Sequence, residues 1–283
     1  MTLGTVEVLL TWIALTFYAA AAATSMIGVI FIKDRLIRIS VWVATAGLVS
    51  QTVSLAVRWA RVGHGPYLGF YEVASALVFF TVAVFVFAAW RNPRLAAAGI
   101  AVMPVALLLL GGSMLAQGSE VQMTAKLTSW WLFVHVTFAN LAFGAFALSF
   151  GCAVVWVVRK HSVDGIWAQR FAKLPSQDVL EDLTVRFVLL GFLFWGTMIA
   201  TGAVWANEAW GSYWSWDPIE TWSLIVWLIY AVYLHVRFTL KWKGERLAWF
   251  AIVAMPLALF ALIGIPLAFN TTHAGIRGLG KDL

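Results

Sequence analysis

Runs of about twenty apolar residues, each closed by charge or by proline and glycine, follow one another along almost the whole of this chain. A helix rises ~1.5 Å per residue, so such a run matches a hydrocarbon core of ~30 Å. Inside hydrocarbon every backbone N–H and C=O must be satisfied within its own segment, which makes each run a helix. Eight runs can be drawn, at 6–31, 39–60, 71–90, 95–116, 130–158, 187–206, 219–238 and 247–268. The expected fold class is an all-α integral membrane protein, a polytopic bundle of eight transmembrane helices. With 62% hydrophobic and 11% charged residues, nothing is left over for a soluble module, so 1–283 reads as a single transmembrane domain.

The basic residues set the orientation. Lys33, Arg35, Arg38, Arg91, Arg94, Arg159, Lys160, Arg170, Lys173, Arg186, Arg237, Lys241, Lys243 and Arg246 follow the odd-numbered runs, 14 of the 19. Arg58, Arg61, Lys126, Arg277 and Lys281 fall on the other side. The richer side is cytoplasmic, so both termini are expected to be extracytoplasmic. The net charge of +6 is that asymmetry and needs no nucleic-acid partner. The opening Met1-Thr2-Leu3-Gly4-Thr5-Val6-Glu7 has neither a basic region nor a small-residue cleavage site, so the first run reads as a retained helix. Cys152 is the one cysteine; it can make no intrachain disulfide and reads as packing.

The stretch from Arg159 to Arg186 mixes charges with Ile166, Trp167, Phe171, Leu174, Val179, Leu180 and Leu183 around Pro175. It reads as two short amphipathic pieces lying on the bilayer. Pro104 and Gly111-Gly112 interrupt the fourth run, and Pro256 and Pro266 the eighth, where kinks or close helix approach are expected. No internal repeat stands out.

Between the sixth and seventh runs lies Trp210-Gly211-Ser212-Tyr213-Trp214-Ser215-Trp216-Asp217-Pro218-Ile219-Glu220-Thr221-Trp222, with Trp205 just before it. A belt of interfacial aromatics explains one or two tryptophans, not four at one turn. Clustered indoles offer flat π-faces and N–H donors, a platform for a flat ligand that carries carboxylates. Asp217, Pro218 and Glu220 also form a helix-start signature, a capping role compatible with a place at the site. The outward cations in reach of such carboxylates are Arg58, Arg61, Lys126 and Arg277.

Three of the five histidines stand at informative depths. His135, five residues into its run, is ~8 Å below the outer end. His273 follows the last run by five residues and is outside. Neutral imidazole is the usual axial ligand of haem iron, and these two can converge on the tryptophan loop. His235 is sixteen residues into the seventh run, ~24 Å deeper, near the cytoplasmic end; an ionisable group there is a site hypothesis, although for His135 and His235 alike a histidine bonded to a neighbouring helix carbonyl is the alternative. This chain has no second histidine at that depth, so bis-imidazole ligation would need a partner. His64, in Gly63-His64-Gly65-Pro66, reads as a solvated loop residue as readily as a site, and His161 as solvated.

The run Trp-Gly-x-Tyr-Trp-x-Trp-Asp-Pro-x-Glu-Thr-Trp resembles the tryptophan-rich "WWD" signature of the haem-handling proteins of cytochrome c maturation, and most of the chain is similar to the CcsA (ResC) family of the system II cytochrome c synthase. Trp130-Trp131-Leu132-Phe133-Val134-His135-Val136 resembles that family's first external histidine segment, Tyr233-Leu234-His235-Val236-Arg237 its intramembrane histidine, and Asn270-Thr271-Thr272-His273 its second external histidine. Eight spans with His235 match this family better than the six-span CcmC or the larger CcmF; His64 and Glu72 acquire no role from it.

The resemblance implies a route for haem b. It would enter at His235 with a histidine from the membrane partner CcsB (ResB) and pass to an external site. There His135 and His273 ligate the iron over Trp210, Gly211, Tyr213, Trp214, Trp216, Asp217 and Trp222. It would be presented to an apocytochrome c with a Cys-x-x-Cys-His motif, kept reduced by a thioredoxin-like partner. His135 and His273 would be the catalytic pair of a holocytochrome c synthase in a bacterial inner membrane, with a thylakoid as the lesser alternative. A haem exporter or chaperone that forms no bonds is the other reading. A fixed b-type electron carrier would want histidines paired in depth, and a solute transporter leaves the tryptophans unexplained.

Overall fold

The computed structural model describes residues 2–116, 127–160 and 174–269. Eight helices among them are long and apolar enough to cross a membrane. They are α1 (Leu3–Ile30), α2 (Asp34–Val62), α3 (Gly69–Arg91), a fourth span Pro93–Ala116 that contains α4 (Gly99–Ser113) after a 3₁₀ turn (Pro93–Ala98), α5 (Trp130–Lys160), α6 (Gln177–Trp210), α7 (Pro218–Phe238) and an eighth span Glu245–Ala268 that opens with α8 (Glu245–Leu259). The ends follow local chemistry. Thr2 accepts from the Thr5 N–H at the start of α1, Ser176 from Val179 at the start of α6, and Gly63 and Gly211 close α2 and α6 at φ 80° and 78°, a conformation that glycine adopts without a Cβ clash.

The amphipathic stretch before the sixth run is arranged differently from the expectation. Residues from Gln177 onward are not a separate surface piece; they continue without a break into α6, a helix of 34 residues and therefore ~51 Å long. A side chain bond at Ser176 starts the helix, and Leu180 and Val185 are buried against the bundle, so the apolar face docks on protein rather than lipid. The residues 161–173 of the other piece lie outside the described residues.

α5 is the centre of the bundle: 72% of its apolar window is buried, against 22% for α6. Small residues allow this. A Cβ on Gly191 of α6 would sit 2.4 Å from the Phe146 ring of α5, and Phe146 is held from the other side by Tyr230 of α7, stacked at 3.6 Å with planes 3° apart. In helix packing within lipid, contact of this kind replaces the hydrophobic drive that water supplies elsewhere. The expected interruption of the last span appears as a π turn, Phe260–Gly264, continuing into Ile265–Ala268. The turn lies between Pro256 and Pro266, which cannot donate to the helical ladder.

Candidate functional site

His135 projects from the first turns of α5 toward α6. Its Nδ1 lies 2.8 Å from the Met198 carbonyl, and a carbonyl can only accept, so Nδ1 carries the proton and the ring's lone pair is on Nε2. The same contact fixes the ring plane, as carbonyls commonly do for ligating histidines. It also demands Gly202: a Cβ there would stand 2.6 Å from His135 Nδ1. The start of α5 is tied to the end of α6 by Ser129, whose hydroxyl donates to Glu208 at 2.5 Å and accepts from the Trp131 N–H.

The imidazole looks into two adjoining cavities. One, of about 420 Å³, is walled by Trp205, Trp210, Tyr213, Trp214 and Glu220 with Gly202 and Ile199. The other, of about 780 Å³, runs along α5 to Asn140 and is closed by Tyr67, Leu77 and the π-turn residues Ala261, Leu262 and Ile263. His135, Met198, Trp205, Ile219 and Ser223 line both. Their lining is that of a ligand site, many apolar groups and a few polar ones. Trp205 stacks on His135 at 6.3 Å and 23° and meets Trp210 edge-on at 5.0 Å.

The tryptophan loop divides by role. Trp210, Tyr213 and Trp214 face the cavity. Gly211 is the left-handed cap of α6. Asp217 is the N-cap of α7, its Oδ1 accepting from the Ile219 N–H at 2.9 Å while Glu220 reaches back to the Asp217 and Ser215 N–H groups; the capping expectation holds. Trp216 is 69% exposed and crosses Trp214 edge-on at 5.7 Å. Its φ of 60° is rare for a bulky residue and costs of order 1–3 kcal/mol; the Thr221 hydroxyl bonded to its carbonyl holds it there. Trp222 is not part of the shelf, because α7 turns it to pack edge-on against Phe260 at 5.1 Å.

Sequence reasoning missed the support behind the second cavity. At the loop end of α1, α2 and α3, the Arg58 guanidinium donates to Glu72 at 2.7 Å and to Glu7 at 3.0 Å, all three side chains 2% exposed. Arg61 also donates to Glu7 at 3.0 Å. Thr11, Ser54 and Tyr71 hydroxyls join around them. The two arginines considered for ligand carboxylates are thus engaged with carboxylates of this chain; Lys126 and Arg277 lie outside the described residues. Glu72 Oε2 accepts from the Leu68 N–H at 3.0 Å, which pins the turn that places Tyr67 over the cavity. His64 belongs to this network rather than to solvent: it is 7% exposed, its Nδ1 bonds the Gly65 carbonyl at 2.9 Å and stands 3.7 Å from Glu72. Burial and the charge of Glu72 push the Tyr67 phenol above its ordinary value. One signal was readable: Glu7 and Glu72 are acidic residues within apolar runs, and such a charge needs a partner.

His235 stands apart from all this, exposed near the far end of α7. It shares an exposed stripe with Ile225, Leu228 and Val232, spaced as one helix face. His273, His161 and Asn270 to Thr272 lie outside the described residues.

The profile of a family described as cytochrome C assembly protein matches residues 67–273. A cytochrome c biogenesis protein CcsA of Guillardia theta is 33% identical over 257 residues, covering 83% of this chain and 81% of its own. One of Prochlorococcus marinus (strain NATL1A) is 34% identical over 271 residues, covering 84% and 83%. Among solved structures, the cytochrome c haem lyase CcmF superposes with a TM-score of 0.71 over 99% of this chain at 17% identity. The chain spans about half of CcmF, 49%, and at that identity the likeness is one of fold.

Proposed function

This chain belongs to the cytochrome C assembly protein family, a multi-pass membrane protein of cytochrome c biogenesis, and on that premise we propose that it presents haem b for covalent attachment to apocytochrome c. The observation that carries the reading is His135. Its Nδ1 is committed to a backbone carbonyl, its Nε2 is the ligating atom, and it stands in the common wall of two cavities lined by Trp205.

Haem is here the substrate. Its apolar faces suit Trp205, Trp210 and Trp214, and the iron takes His135 on one side. His273 is proposed for the other side on the strength of the family resemblance, and the π-turn residues Ala261, Leu262 and Ile263 near the end of the last span line the larger cavity. Each thioether forms when a cysteine S–H adds across a vinyl group, sulfur to one carbon and hydrogen to the other, with no net change of oxidation state. What the protein supplies is position: a fixed macrocycle turns a bimolecular addition into one between held groups, and orientation of that kind removes as much as ~7–11 kcal/mol from a barrier.

His235 is proposed as the entry ligand. A histidine on an exposed apolar stripe of α7 is placed where a membrane partner can cover it, and a CcsB-type subunit would contribute the second imidazole. A thioredoxin-like reductant keeps the apocytochrome thiols available.

Coexpression of this chain with a CcsB-type partner and a Cys-x-x-Cys-His substrate tests the proposal. Haem that stays on the substrate after denaturation is expected with the native chain, and its loss with His135→Ala at unchanged membrane abundance. Delivered but non-covalent haem would make the chain a chaperone instead, and attachment indifferent to His135→Ala would overturn the site.

A further inference from the structure

A second opening lies on the lipid-facing flank of the histidine site. Between α2, α3 and α5 runs a groove of about 830 Å³, walled by Leu55, Ala56, Phe79, Phe80 and Phe133 and ending at Asn140. Trp59 and Tyr67 form its rim, and Val136 and Asn140 are shared with the larger histidine cavity. The lip is open toward lipid, since Trp59 is 53% and Phe133 41% exposed.

The polar groups along it are unequal. The Thr52 hydroxyl is bonded back to the Leu48 carbonyl and that of Thr137 to the Phe133 carbonyl. The Asn140 amide is 3% exposed, lines the groove floor, and forms no hydrogen bond with any described residue. Ten residues into the 31-residue α5, it lies ~15 Å below that helix's outer end, inside the hydrocarbon. An amide left without a partner in hydrocarbon costs several kcal/mol. A water needs two to four polar partners to be held, and the two threonines nearby have given their protons to their own helices, so neither can donate to one.

We propose that this groove binds a lipid-soluble quinone or quinol, its ring at Asn140 and its tail leaving along the phenylalanine wall between α2 and α3. The depth selects the class. A phospholipid keeps its charged head and ester carbonyls at the interface, so only the end of an acyl chain would reach Asn140 and the amide would stay unsatisfied. A neutral ring with carbonyl or hydroxyl groups sits at this depth without that penalty, accepts from the amide N–H or donates to its carbonyl, and carries an apolar tail that fits a wall without charge. The groove meets the histidine cavity at Val136 and Asn140, but neither His135 nor the macrocycle enters the argument.

The test uses the full chain in nanodiscs of quinone-free lipid. A photoreactive azidoquinone is expected to label peptides from α2 or α5 around Ala56 and Asn140, saturably, with protection by a decyl-tailed quinone. Asn140→Leu, alike in branching and apolar, is expected to weaken protection about five- to tenfold, the loss of one buried hydrogen bond. Ala56→Trp, which fills the groove from its exposed lip, is expected to abolish labelling there, and the melting temperature of each variant reports whether the bundle is intact. Non-saturable labelling overturns the proposal. So does equal protection by a fatty acyl analogue together with an Asn140→Leu variant that binds as the native chain does, since the groove would then be an acyl-chain seat.

Discussion

Replacing Arg58 by methionine isolates what the buried charge cluster contributes. The guanidinium joins two carboxylates at 2.7 and 3.0 Å with all three side chains 2% exposed. At an effective dielectric near 20 each contact has a gross attraction of about 6 kcal/mol, most of it offset by desolvation. The informative quantity is therefore the cost of leaving carboxylates behind, about 3–5 kcal/mol when one partner of a buried pair is removed. Arg61 still reaches Glu7, so the orphan is mainly Glu72. At ~2–4 °C per kcal/mol, Arg58→Met is expected to lower the melting midpoint by roughly 6–20 °C in nanodiscs. Adding Glu72→Gln removes the stranded charge and is expected to recover more than half of the loss, the non-additivity that contacting residues show. A single variant within about 1 kcal/mol of the native chain, or a double variant no better than the single one, would refute the account. Because Glu72 also holds the Leu68 N–H beneath Tyr67, the single variant is further expected to bind haem more weakly.

Three further outcomes follow from geometry already given. Gly202→Ala places a methyl 2.6 Å from His135 Nδ1; it is expected to break the Met198 contact and shift the absorption spectrum of the bound haem, and an unchanged spectrum would show that the ring is not held there. Gly191→Ala drives a methyl to 2.4 Å from Phe146, which Tyr230 prevents from yielding, so a loss of about 1–3 kcal/mol is expected in a denaturation series. Asp217→Ala removes the N-cap of α7 and should cost about 0.5–2 kcal/mol; a variant as stable as the native chain would mean that Glu220 alone holds the turn.

The chain itself carried most of the fold, because hydrocarbon leaves a run of twenty apolar residues one structure to adopt. Seven of the eight runs lie close to the helices found, and the sixth begins inside its helix because the polar N-terminal turns, from Gln177 to Arg186, resemble a surface helix until a packed neighbour is seen. The tryptophan loop and His135 were legible for a chemical reason: indoles and a single imidazole are costly or unusual where they stand, so they mark themselves. The capping pattern around Asp217 was equally local, four consecutive residues deciding their own hydrogen bonds. The separation of Trp222 from Trp214 was not, since it depends on which way α7 is rotated against α8.

What only the tertiary structure decided are the contacts between residues distant in the chain. Glu7 meets Arg58 across 51 positions and His135 meets Met198 across 63; no periodicity or motif encodes such pairings, which arise when eight helices settle into one register of ridges and small-residue gaps. That register turned His64 inward, gave Arg58 to two carboxylates, and left Asn140 facing a groove. Composition can say that this chain lives in a bilayer and that aromatic rings gather at one turn, but which buried polar group has a partner is a property of packing.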